Sequence, residues 1–361
     1  MAEKNLPIRF FRYREGDENR TEAGGSGEEP KWVISGAQLI KKSKQLVNEL
    51  NAFKDIIAEK EKKQSIVPSV CKAKLLEKAT AKSRRQYVEN IINTSHMKKN
   101  IIGVVDREDL IVRIDNIQEF NTITQNIIDY NRYNYGLSCL DRITAFIPTV
   151  ITEKNESYKV KLLNYQNYEE NLTIVQLFDN ILYRNNILFK KTEYAESFTI
   201  YKIQGEQSVI LDTFKQNDVF EALFSIEPMP KYTLGLDILP FQGTLPIKKP
   251  IEGQEYATLG ILDNGIASIP HLEPWITDER FTPYPSERIT PFHGTFTAGV
   301  ALYGDDIEGK QWLGQKGIKL FDAAVYPDTT KESIDEDDLI ENIREAIEFR
   351  YQNMEPFNQY N

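Results

Sequence analysis

Two short stretches of this 361-residue sequence carry residue types that could do acid–base chemistry together. Asp263 ends the apolar run YATLGILD and is followed by Asn264 and Gly265. An acid at a strand end, followed by a turn residue and a glycine, can be pinned by loop backbone groups and aimed into a crevice. Downstream lies His293, in PFHGTFTAGVALYGDD. A carboxylate that accepts from one imidazole nitrogen fixes the tautomer and leaves the other nitrogen free to take a proton from a hydroxyl. Taken singly, Asp263 is a turn-forming acid and His293 a polar residue at a helix start. Together they form a candidate general-base pair.

The surrounding pattern supplies elements that could position the pair. The run ending at Asp263 has the continuous apolar form of a buried parallel strand. Gly294, Thr295, Ala298, Gly299 and Ala301 are small, so a helix starting at His293 can lie close against neighbouring strands. IKLFDAAVY is a second apolar strand. Ser333 and Glu336 have the S-x-x-E spacing of a capping box. They precede a helix, about Asp335 to Tyr351, with Leu339, Ile343, Ala346, Ile347 and Arg350 on one side. Strand, helix, strand, helix predicts the start of an α/β domain.

LGILDNGI and HGTFTAGVALYG resemble the aspartate and histidine motifs of the subtilisin-like serine peptidases, the subtilases. IPHLEP, LGQKGIKLFDAAVYP and the helix after it extend the resemblance over about residues 250 to 350. It implies an α/β fold, the start of a three-layer domain with a parallel sheet. It also implies an Asp…His…Ser triad for peptide-bond hydrolysis, with Asp263 orienting and His293 as the base. Two departures are mild: Asn264 stands where the family usually has Ser or Thr, and Phe296 where it has a second histidine. The third is an absence. The family's serine lies in a Gly-Thr-Ser-Met-Ala-Pro-like motif far beyond the histidine, and here Gly-Thr is followed only by Leu245 or Phe296. Ser333 is the single serine after His293.

The chain is therefore expected to be a truncated serine endopeptidase that does not hydrolyse peptides alone, lacking nucleophile and oxyanion donors. The alternatives are a non-catalytic binding or inhibitory relative and one half of a split protease. The substrate class is protein or peptide. No cofactor is expected. Calcium is implied only by the resemblance, and the acids of DDIEG, 305–309, lack the alternating oxygen spacing of a dedicated loop.

Three regions are expected: a flexible arm over 1–34, an α+β regulatory or propeptide-like region over 35–245, and a partial peptidase domain over 246–361. The arm is polar and glycine-rich. A helical stripe over about 35–63 carries Leu39, Leu46, Leu50, Phe53 and Ile57. Alternation predicts strands at Cys71–Ala73–Leu75, Leu110–Val112–Ile114 and Tyr158–Val160–Leu162. Residues 198–212 predict a hairpin turning at Gly205, with helices near 117–129 and 216–225. These form one small antiparallel or mixed sheet, with a propeptide-like subdomain near 150–230. Pro228, Pro230, Pro240, Pro246 and Pro250 mark a connector, with the boundary near 245.

The net charge of −10 argues against general nucleic-acid binding. The basic stretch 72–99 reads as a solvated face, with a partner protein for the N-terminal region as the alternative. Cys71 and Cys139, without a CxxC or a Cys/His cluster, predict neither zinc nor a disulfide framework. His96 and His271 read as surface and loop residues. No window reaches the roughly 18 consecutive apolar residues of a membrane span. With no apolar leader at the N-terminus, the expected location is cytoplasmic.

Overall fold

Alternating side chains set the first core. The computed structural model describes residues 30, 32–79, 82–95, 98–153, 155–196, 198–217, 219–235, 243–309 and 317–353. His96 and most of the expected arm lie outside them. The described residues form two compact units, one ending at Phe146, the other starting at Ile147 and including Ser65–Pro68.

In the first unit two helices, α1 (Gly36–Asn51) and α2 (Lys54–Lys63), stand where the stripe predicts one. The break at Ala52 and Phe53 does not interrupt the buried face of Leu39, Leu46, Leu50 and Ile57. There follow β1 (Ser69–Leu75), α3 (Lys82–Ile92), β2 (Ile101–Val105), β3 (Asp109–Ile114), α4 (Ile117–Ile128), α5 (Asn134–Cys139) and β4 (Leu140–Ala145). The sheet order is β2-β3-β1-β4, all antiparallel. Cys71, Ala73 and Leu75 point into the core, as the alternation predicts. Both cysteines are buried free thiols. The end of the expected arm is anchored rather than free. Ile34 N–H donates to Ser138 Oγ at 2.9 Å, and Trp32 packs edge-on against Tyr135.

The second unit begins with β5 (Thr149–Val150), β6 (Ser157–Leu162), α6 (Tyr168–Arg184), β7 (Phe189–Ala195), β8 (Phe198–Gln204), α7 (Gln207–Gln216) and β9 (Leu223–Pro228). Their sheet, β5-β9-β6-β8-β7, is antiparallel except for the short β5–β9 pair. From β6 to β9 the element order is the β-α-β-β-α-β of a split βαβ module. Two expectations change here. The hairpin over 198–212 is instead a strand and a helix, because β8 takes both its partners, β6 and β7, from elsewhere. Ile210 and Phe214, one helical turn apart, bury α7 against the core of Tyr158, Phe178 and Tyr201. The helix expected near 216–225 gives way to β9. The single expected sheet is thus two sheets, each with its own core.

Next come β10 (Lys231–Tyr232), β11 (Thr258–Asp263), β12 (Ile276–Phe281), α8 (Phe292–Ile307), β13 (Lys319–Ala324), β14 (Ile334–Asp335) and α9 (Glu336–Asn353). The sheet β11-β13-β12 is parallel throughout, with β13 at its centre. Ala298 and Leu302 of α8 pack with Ile261 and Leu320 on one face. Leu339 and Ala346 of α9 pack with Phe321, Ala323 and Val325 on the other. Opposite parity along β13 makes these opposite faces, so the arrangement is helix, sheet, helix: a mixed α/β structure with a three-layer part.

β11 is not the fully buried strand its apolar run predicts. Among the described residues nothing pairs with its outer edge, and Leu259 and Leu262 are each 37% exposed. Nor is the boundary expected at 245 a division between compact units, since β10 pairs antiparallel with β14. Ion pairs from Lys159, Lys190 and Lys202 to the acidic start of α9 reinforce that joint. The same pairing overrides the Ser333 capping box: Ile334 and Asp335 form a strand, and the helix starts at Glu336. No helix among the described residues is long and apolar enough to cross a membrane.

Candidate active site

Asp263 is fixed from several sides. As the last residue of β11, it offers its carbonyl to the N–H groups of Val325 and Tyr326, at 2.8 and 3.1 Å, where β13 ends. Its side chain is buried. Oδ1 accepts the Asn264 N–H at 2.8 Å, and Oδ2 lies 2.7 Å from His293 Nδ1. An ionised carboxylate only accepts, so this contact places the ring proton on Nδ1 and leaves the Nε2 lone pair free. The Thr297 hydroxyl lies 3.3 Å from the same Oδ2 and 3.1 Å from the His293 carbonyl, and can donate to either.

The helix carrying His293 is docked onto the turn after Asp263. Its N-cap is Pro291, which offers no side-chain acceptor. Asn264 supplies one from outside: its Oδ1 accepts the Gly294 N–H at 2.9 Å, satisfying a donor that a helix start leaves open. The Ala267 N–H donates to Thr295 Oγ1 at 2.8 Å, and that hydroxyl donates to the Pro291 carbonyl. Gly294 makes the approach sterically feasible, since a Cβ there would lie 2.3 Å from the Gly265 carbonyl oxygen. Gly265 has φ +96, a conformation that side chains rarely adopt.

The two sequence-predicted site residues are therefore adjacent, brought together from a strand end and a helix start. The His293 side chain is 30% exposed, and no hydroxyl among the described residues is hydrogen-bonded to its Nε2. Phe292, Phe296 and Val300, at successive helical turns, are 53%, 45% and 48% exposed along one face of the same helix.

One participant carries no flag in the sequence. Asp322, in the middle of β13, is buried, and its Oδ1 accepts the Ile266 N–H at 3.0 Å. Burial pushes its carboxyl up to about 6, while Arg280 and the Ile266 N–H pull the other way. Its only sequence signal is an acid inside an apolar strand.

The remaining candidates have structural partners. His271 Nε2 lies 3.1 Å from the Leu245 carbonyl, and its ring packs edge-on against Tyr303. Asp305 and Asp306 face Lys248, which holds the Asp305 carboxyl below its ordinary range although burial opposes this. Among the described residues Asp335, Asp337 and Asp338 could converge on a cation. The Lys202 ammonium already stands among them, at 2.6, 3.1 and 3.1 Å. In the basic stretch, Lys72, Lys74 and Lys98 pair with Asp109, Glu108, Asp115 and Glu119.

Comparison with known proteins places the chain in no family: no family model, no curated protein and no solved structure matches it.

Proposed function

We propose that this chain supplies the aspartate and histidine of a serine-peptidase triad, with the serine provided by polypeptide outside these 361 residues. The observation that carries the reading is the 2.7 Å contact between His293 Nδ1 and a buried, fully engaged Asp263. The resemblance of both motifs to those of the subtilases supports it.

In the reaction, His293 Nε2 takes the proton of the serine hydroxyl as its oxygen attacks the scissile carbonyl. Asp263 stabilises the imidazolium, which then protonates the leaving amine. The oxyanion donors would come with the serine. The outer edge of β11, which has no partner among the described residues, and the exposed Phe292–Phe296–Val300 face are the surfaces such a piece would cover. Residues 147–232 then serve as a regulatory, propeptide-like module. Support for this role is that its tail, β10, lies antiparallel on β14 immediately before α9.

Reading the coding DNA past codon 361 in all three frames tests the proposal. A Gly-Thr-Ser-Met-Ala-Pro-like motif there is expected, and the joined chain should react with a fluorophosphonate through that serine. If the motif lies in a neighbouring gene, mixing the two products should restore labelling. A locus with neither would leave a non-catalytic binding protein.

A further inference from the structure

The Asp263–His293 pair sits on a turn whose own support is unusual. Three of its ties lead to α8 or to the end of β13: Asn264 to Gly294, Ala267 to Thr295, and the Asp263 carbonyl to Val325 and Tyr326. The fourth comes from within the sheet, where the Asp322 carboxylate meets the Ile266 N–H. We infer that Asp322 is the positioning residue of this site: it anchors the turn that follows Asp263 and so sets the direction from which Asp263 meets His293.

Ile266 is buried, so its N–H needs a partner within the protein. β13 is otherwise apolar around this point, with Leu320, Phe321, Ala323 and Ala324 all buried. A leucine at 322 would suit that packing but would orphan the Ile266 donor. A buried carboxylate is the costlier choice for the sheet, and the bond it accepts from the Ile266 N–H offsets part of that cost. Arg280, on β12, is the cation facing it, with Nε 3.7 Å from Oδ2. Asp263, at the end of the neighbouring β11, is the other acid on that face. Nothing in the proposed proton transfer uses Asp322, so its part is support. The inference rests on the triad reading only for why the direction of Asp263 matters.

The test uses the full chain, labelled with 15N-histidine; with three histidines, the His293 signals are assigned from a single His293→Gln spectrum. Wild type should show a low-field Nδ1–H resonance and an unprotonated Nε2. Asp322→Asn, which keeps an acceptor oxygen, should retain that resonance. Asp322→Ala, which removes it, should lose the resonance or move it upfield, while methyl signals from residues 147–232 stay in place. Retention of the wild-type resonance in Asp322→Ala overturns the inference.

Should Asp322→Ala fail to fold, wild type alone decides. The Ile266 amide proton should shift with the same midpoint as the Asp322 carboxyl carbon, and an amide that does not follow it overturns the inference. A wild-type chain with no low-field His293 resonance would contradict the triad reading instead, and the shared titration would still decide whether Asp322 holds the turn.

Discussion

Asn264 caps the His293 helix from another element, which gives the turn residue beside Asp263 a defined task. Asn264→Ala should cost about 1 kcal/mol in urea denaturation, the usual loss for a helix cap. Gly294→Ala should cost about 1–3 kcal/mol, because the added carbon meets backbone rather than a flexible side chain. Asp322 makes a pH prediction with a definite sign. Its folded-state carboxyl is raised to about 6, above the unfolded value, so the native state binds the extra proton between the two. Its contribution to stability therefore falls as pH rises from about 4 to about 6 and is constant above that. Asp322→Asn should be more stable than wild type at pH 7–8, by on the order of 2 kcal/mol, with the gain vanishing toward pH 4. Urea midpoints across that range check it, and a gain that grows on acidification would contradict it. Asp263 and His293 were legible because each sits in a patterned stretch. Asp322 was not, because its one informative neighbour, Ile266, is 56 residues away in sequence.

At the scale of elements, the acidic start of α9 is held by three lysines from the neighbouring sheet. Lys159 reaches Glu336, Lys190 reaches Asp338 and Glu341, and Lys202 stands among Asp335, Asp337 and Asp338. Asp337 is 1% exposed and faces two ammonium groups, Lys202 at 3.1 Å and Lys190 at 3.5 Å, so removing Lys202 leaves a buried carboxylate with the longer of the two contacts. Lys202→Met should destabilise the chain by about 3 kcal/mol at pH 7, and adding Asp337→Asn should recover part of that. Denaturant midpoints of the single and double variants test it; equal losses in both would count against a charge origin. Burial opposes ionisation of Asp338, but Lys190 and Lys202 hold its carboxyl below the ordinary range. The stabilisation from that carboxylate is therefore present above its unfolded value and lost as pH falls through the lower folded one. This joint explains why the boundary near 245 did not divide the molecule. Charged side chains carry no periodicity that names their partners. Strand β1 was legible because alternation is local. Helix α7 was not, because SVIL suits strand and helix equally and the packing of Ile210 and Phe214 decides between them.

At the largest scale, the three-stranded parallel sheet is open: among the described residues neither edge strand, β11 or β12, has an outer partner. Leu259, Leu262, Phe292, Phe296 and Val300 stand exposed beside it. Bare edges and apolar patches favour self-association. Residues 250–361 expressed alone should aggregate or be partly disordered, and sharp, dispersed amide signals from that piece would refute this. Strands β11 and β13 and the helices that flank them were legible from apolar runs and helical stripes; β12 was not, because its ITDERF has no apolar run. The exposed edge was not, because an apolar run does not state how many neighbours its strand has. The central claim is that His293, oriented by Asp263, activates a serine. Its most direct test is fluorophosphonate labelling of the chain completed with its serine-bearing segment, compared with His293→Ala and Asp263→Asn forms of the same assembly. Labelling is expected at a single serine, abolished by His293→Ala and slowed by on the order of 10⁴-fold in Asp263→Asn. Labelling that proceeds at the wild-type rate without His293 would contradict it.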